Sequence, residues 1–82
     1  MGQVVGFPSV DPADVRIGAR LKHWRTRRSV DLDVLAQAVQ LSPEDIRMIE
    51  AGRRHLTTSQ MAAATQALHL PLWALVSDTP AY

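Results

Sequence analysis

The chain has 82 residues and a formal net charge of +1, enough for one small domain with a single modest core and too little for a multidomain enzyme with a deep cleft. It has no cysteine, which excludes disulfides, thiolate metal sites and thiol nucleophiles, and only 5% aromatic residues, which argues against a stacking platform for single-stranded nucleic acid. With 46% apolar and 21% charged residues, no apolar run approaching the ~18 residues of a membrane span and no basic-then-apolar leader, it reads as a soluble cytoplasmic globule.

Residues 1–10, MGQVVGFPSV, hold two glycines and a proline without a lasting period and read as an irregular arm. Asp11-Pro12-Ala13-Asp14 is a helix start: an N-cap, proline at the first helical position and an acid in the first turn. Ile17, Leu21 and Trp24 follow as one apolar stripe, with Arg16, Arg20, His23 and Arg27 on another face, so helix 1 is expected over 12–28. Asp31 is expected to cap a short second helix whose buried side is Val34, Leu35, Ala38 and Val39. Gln40 and Leu41 form the connection.

Ser42-Pro43-Glu44-Asp45 opens the third helix, over 42–51, with a serine cap, a proline and two acids toward the positive helix end. Ile46 and Ile49 point inward, and Gly52 stops the helix in a left-handed conformation. Thr57-Thr58-Ser59 caps a fourth helix, apolar through Met61, Ala64 and Leu68. Pro71 starts a short fifth helix in which Leu72 and Leu75 fit inward positions. Ser77 to Tyr82 reads as an exposed tail with no second domain. The expectation is an all-α domain of five helices over 11–77, joined by short connections.

Two short helices joined by a tight turn, the second strongly capped, form a helix-turn-helix. Close crossing demands a small residue, assigned to Ala36, and buries Leu35, Val39, Leu41, Ile46 and Ile49. The outer face of the second helix is then free to enter a major groove. Charge is distributed in blocks. Six of the nine basic residues, Arg16, Arg20, Lys22, Arg25, Arg27 and Arg28, lie in one stretch without an acid. The next stretch carries Asp31, Asp33, Glu44 and Asp45 without a base, so local fields matter more than the net charge.

The segments IGARLKHWR (17–25), VLAQAVQLSPEDIRMIEAGRR (34–54) and QALHLPLWAL (66–75) together resemble the Cro/lambda-repressor-like helix-turn-helix family, also called the xenobiotic-response-element type. The resemblance spans Ile17 to about Val76 and implies a five-helix lambda-repressor-like domain. It also implies a sequence-specific regulator of transcription that binds double-stranded DNA, as a homodimer on a palindromic operator. It implies an ion pair between Arg25 and Glu50, largely structural, and a backbone-contacting loop at Arg53 and Arg54 assisted by His55. The recognition positions are Pro43, Glu44, Arg47 and Met48, flanked by Ser42 and Asp45. Arg47 suits guanine or a phosphate, Met48 a thymine methyl, and Glu44 the cytosine amino group. Glu44 and Asp45 equally suit the helix dipole alone, and Ser42 is assigned mainly to capping.

The chain also departs from the family pattern. Leu32 replaces a polar phosphate contact, Gln40 and His69 stand where glycine is usual, and Pro43, Glu44 and Asp45 bring no donor and two negative charges toward the groove. At about 6 Å in water each carboxylate–phosphate repulsion is roughly 0.7 kcal/mol, which weakens binding without forbidding it. The family's residue at Trp73 is commonly polar, so Leu72, Trp73 and Val76 are read as a dimer or protein-partner surface. An alternative reading is a protein–protein module that keeps the fold without specific DNA binding. His23, His55 and His69 lie on three separate elements and suggest no metal site. No catalytic spacing, glycine-rich phosphate cradle or cofactor motif is present.

Overall fold

The structure, a computed structural model, describes residues 11–76; the arm expected at 1–10 and the tail at 77–82 lie outside the described residues. Four α-helices are present there: α1 (Pro12–Arg27), α2 (Leu32–Val39), α3 (Pro43–Glu50) and α4 (Thr58–Ala67). The fifth expected α-helix is a single 3₁₀ turn, Leu72–Leu75. Proline fixes its start, and its bonds are of the tighter kind: Ala74 N–H to the Pro71 carbonyl at 3.0 Å and Val76 N–H to the Trp73 carbonyl at 3.1 Å.

The helix starts follow local chemistry. Asp11 accepts from the Ala13 amide at 2.9 Å. Ser42 and Asp45 close a capping box, each side chain bonded to the other's backbone amide at 3.1 Å. Thr57 and Gln60 close another, at 3.1 and 2.9 Å. Such caps satisfy amides the helix leaves orphaned and contribute about 1 kcal/mol each. Asp31 departs from expectation: it occupies the N-cap position of α2, but its side chain makes no capping bond.

All four helix ends share one device. After each helix a residue turns left-handed: Ser29 (φ 56°), Gln40 (φ 62°), Gly52 (φ 78°) and His69 (φ 58°). The amide of the next residue then reaches back to a carbonyl five positions earlier: Val30 to Arg25 at 3.0 Å, Leu41 to Ala36, Arg53 to Met48 and Leu70 to Thr65 at 2.8 Å. This is the Schellman arrangement. In three cases the residue after the left-handed one, Val30, Leu41 or Leu70, packs against the core.

The core joins Leu21 and Trp24 of α1, Leu35, Ala36 and Val39 of α2, Ile46 and Ile49 of α3, Leu56 of the following loop, Ala64 and Leu68 at α4, and Leu75. Helix α1 packs on α3 and on the 3₁₀ turn, and α2 packs on α3 and α4. Because α2 lies between α3 and α4, only its Leu35–Ala36–Val39 stripe is enclosed. Val34 and Ala38, expected inside, are exposed. Leu72 is likewise exposed rather than inward: Ala74 and Leu75 fill the inner side of the turn.

Ala36 is buried on the inner stripe of α2, and α1 meets α3 closely at another small residue. Gly18 of α1 lies against the last turn of α3, where an added Cβ would overlap the Ile49 carbonyl oxygen and stand 3.1 Å from the Ile49 carbonyl carbon and 3.2 Å from the Glu50 Cα. Glycine here sets the depth at which α1 supports α3.

Candidate nucleic-acid interface

Helix α3 is held from behind and bare in front. Ile46 and Ile49 are fully buried, while Glu44, Arg47 and Met48 on the opposite side are exposed. The N-terminal capping box fixes one end of the helix and the Gly52 turn fixes the other. A Cβ at Gly52 would stand 2.9 Å from a Val15 methyl, so that turn is also seated against α1.

The ion pair between Arg25 and Glu50 ties α1 to the end of α3. Arg25 Nε donates to Glu50 Oε2 at 2.7 Å and its terminal nitrogen to Oε1 at 3.2 Å, while a third N–H reaches the Val30 carbonyl at 3.1 Å. The Glu50 side chain is 6% exposed and that of Arg25 17%. A forked, largely buried pair of this kind fixes orientation, and the pair bridges α3 to the turn before α2.

The polar groups on the front divide into pairs. Arg47 meets Glu44 at 3.1 Å, both well exposed. Arg54 meets Asp45, linking the loop after α3 back to its first turn. His55 lies 2.8 Å from Asp14 of α1. Arg54 and His55, grouped with Arg53 as backbone contacts, therefore each have a carboxylate neighbour, whereas Arg53 is exposed with no acidic partner among the described residues. The Asp45 carboxylate is held below the usual carboxylate range, first by the Ser42 amide and hydroxyl and then by the Arg54 guanidinium. Asp45 is thus occupied in capping and pairing, and Ser42 in capping. Pro43 is half-buried at the first helical position.

A shallow depression of about 330 Å³ lies beside α3, lined by Lys22, Arg25, Leu32, Arg47, Glu50 and Ala51. Leu32, at the start of α2, forms part of its wall and packs on the core, which accounts for an apolar residue there. Lys22 was not singled out from its basic block. It lies one turn before Arg25 on the side of α1 facing α3, is exposed, and has no carboxylate partner among the described residues. Its spacing of three from Arg25 is the only sequence signal that it shares this face. The front thus offers Lys22, Arg47 and Arg53 as exposed cations around a protruding helix.

Leu72 and Trp73 lie on the 3₁₀ turn and Val76 just after it, each about half exposed. Arg20 of α1 donates to the Leu75 carbonyl at 3.4 Å, fastening the turn to the domain. Among the described residues no group of histidines and carboxylates could hold a metal ion, and no helix is long and apolar enough to cross a membrane.

A capped helix carried on a second short helix, with its outer face bare, defines a helix-turn-helix unit. The chain belongs to the helix-turn-helix domain family of the Cro/lambda-repressor type, which it matches over residues 16–74. It is 27% identical over 70 residues to a Rhodospirillum rubrum protein named as a transcriptional regulator in the ATPase CF(0) region, covering 85% of this chain and 65% of that one. The chain thus spans less than two thirds of that relative. Its structure is similar to that of the clp gene regulator ClgR of Corynebacterium glutamicum (TM-score 0.74, 26% identity, covering 79% of this chain and 84% of that one). The restriction-modification controller protein C.AhdI of Aeromonas hydrophila shares the fold (TM-score 0.70, 24% identity, covering 76% and 94%). By name these relatives are a transcriptional regulator, a clp gene regulator and a restriction-modification controller.

Proposed function

We propose that the chain is a sequence-specific, double-stranded DNA-binding regulator of transcription that places α3 in the major groove. The observation that carries this reading is the bare outer face of α3, with Glu44, Arg47 and Met48 exposed on a helix whose inner side is fixed by buried Ile46 and Ile49. Such a helix presents side chains to base edges. Arg53, Lys22 and, once released from Asp45, Arg54 then meet phosphates. His55 assists at the edge of the same loop, and Ser42 and Pro43 set the approach of the first turn.

The DNA-bound form is a homodimer joined through Leu72, Trp73 and Val76. A two-fold pair would place its recognition helices about 34 Å apart, matching a palindromic operator. Exposed aromatic and aliphatic groups on one turn support this surface. They also support the second reading, in which the same surface captures a different protein and α3 reads no DNA.

Selection of duplexes from a random pool, followed by fluorescence anisotropy across a salt series, tests the proposal. The expected result is a two-fold symmetric consensus and an affinity that falls as salt rises, since each phosphate contact releases counterions. Millimolar affinity at low salt, or salt-independent affinity, would refute it. Trp73→Ala is expected to weaken operator binding by lowering the dimer population. If it abolishes protein-partner capture while Arg47→Ala has no effect, the second reading prevails.

A further inference from the structure

Glu44, an acid in the first turn of α3 where it suits the helix dipole, closes no cap and bonds to no other element among the described residues. Asp45, not Glu44, closes the capping box with Ser42 and pairs with Arg54. The only partner of Glu44 among the described residues is Arg47, at 3.1 Å, and its side chain is 70% exposed. An acid at this point opposes a phosphate-lined groove, so its presence costs non-specific affinity. What it can accept is an amino group on a base edge. In the major groove cytosine shows an N4 amino donor, guanine shows only acceptors, O6 and N7, and adenine sets its N6 amino donor beside an N7 acceptor that opposes a carboxylate.

We infer that Glu44 and Arg47 act as one reading unit, Glu44 accepting from a cytosine amino group and Arg47 donating to a guanine on a neighbouring base pair. Three residues of helix advance about 4.5 Å, comparable to the ~3.4 Å between successive bases on a strand, so the two side chains address adjacent pairs. Their mutual contact holds both outward before DNA arrives. Against a wrong base each group keeps only the other as partner, and Glu44 repels the phosphates. Against the C and G pattern both find better-matched partners. The pair is therefore a specificity filter as well as a contact. This inference rests on the DNA-binding reading above.

The test measures anisotropy with the duplex the native protein selects, its single-base variants, the same duplex carrying N4-methylcytosine, and a random-sequence duplex. The native protein is expected to require one cytosine next to a guanine in each half-site. It should lose about ten- to a hundredfold in affinity when that cytosine is replaced or N4-methylated. Glu44→Gln is expected to move the preference at that position from cytosine toward adenine, because an amide matches the adenine edge. It should leave the guanine preference intact, and it should raise affinity for the random duplex severalfold. A selected duplex without that cytosine, indifference to N4-methylation, or an unchanged base preference in Glu44→Gln overturns the inference and leaves DNA binding standing. Failure of the native protein to select any duplex overturns both. A merely structural Glu44 would change the melting temperature and not the base preference.

Discussion

Replacing Gly18 with alanine separates two opposed physical effects. In the middle of α1, helix propensity alone makes alanine more stable than glycine by about 0.5–1 kcal/mol. The packing says the opposite. The new Cβ would overlap the Ile49 carbonyl oxygen, with the Ile49 carbonyl carbon at 3.1 Å and the Glu50 Cα at 3.2 Å. All three are backbone atoms, which no rotamer change moves aside. Normal contact lies near 3.5–4.0 Å, so α1 and α3 must separate by on the order of 1 Å. That separation strains the bond from the Gly52 amide to the same Ile49 carbonyl, 3.0 Å long, and the Arg25–Glu50 fork next to it. The expected net loss is about 3 kcal/mol, out of a total of roughly 4–12 kcal/mol for a chain of this length. The melting temperature should fall by about 12–24 °C. Urea and thermal unfolding followed by Trp24 fluorescence in a Trp73→Phe background would measure this, because Trp24 is buried and Trp73 is not. The exposed neighbour Ala19, changed to glycine, provides the control and should cost only about 1 kcal/mol. A Gly18→Ala protein as stable as the parent, or more so, would refute the close-packing argument.

Removing one partner of the buried fork, as in Glu50→Ala, is expected to cost about 3 kcal/mol by leaving the Arg25 guanidinium uncompensated; the Arg25→Met/Glu50→Leu double variant should be less destabilised than the single one in the same unfolding assay. Gln40→Gly and His69→Gly should each raise stability by up to about 1 kcal/mol, because both sites require a positive φ that a Cβ opposes, and equal or lower melting temperatures would contradict this. Asp45 should titrate below the usual aspartate range in carboxyl-detected NMR. Its lowered folded value means that its stabilisation is present above the unfolded pKa of about 3.9 and is lost as pH falls through the folded value. Asp45→Asn should abolish that component of acid sensitivity and lower stability by a constant amount across the neutral-to-alkaline range.

Much of the fold is legible in the chain because its signals are local. Ser42, Pro43 and Asp45 define the start of α3 within four residues, and Asp11 with Pro12 does the same for α1. Gln40 and His69 stand out only through the family resemblance, which implies glycine at both positions, and the structure gives both a left-handed backbone. The front of α3 is also visible from helical spacing, since Ile46 and Ile49 point one way and Glu44 and Arg47 another. Leu56 is core without a sequence signal, because a single leucine in a loop carries no period. Val34 and Leu72 read as inward in the sequence yet are exposed, because an apolar residue on a short helix does not say how many neighbours that helix has.

The order of caps, stops and apolar stripes needed only the sequence, because each depends on hydrogen bonds or side-chain geometry within about one helical turn. Tertiary packing alone chose the partners: Asp45 for Arg54, Asp14 for His55, and the Ile49 carbonyl for Gly18. These pairings join residues 9, 41 and 31 positions apart. The angles between helices decide them, and those angles follow from how all the core side chains fill space together.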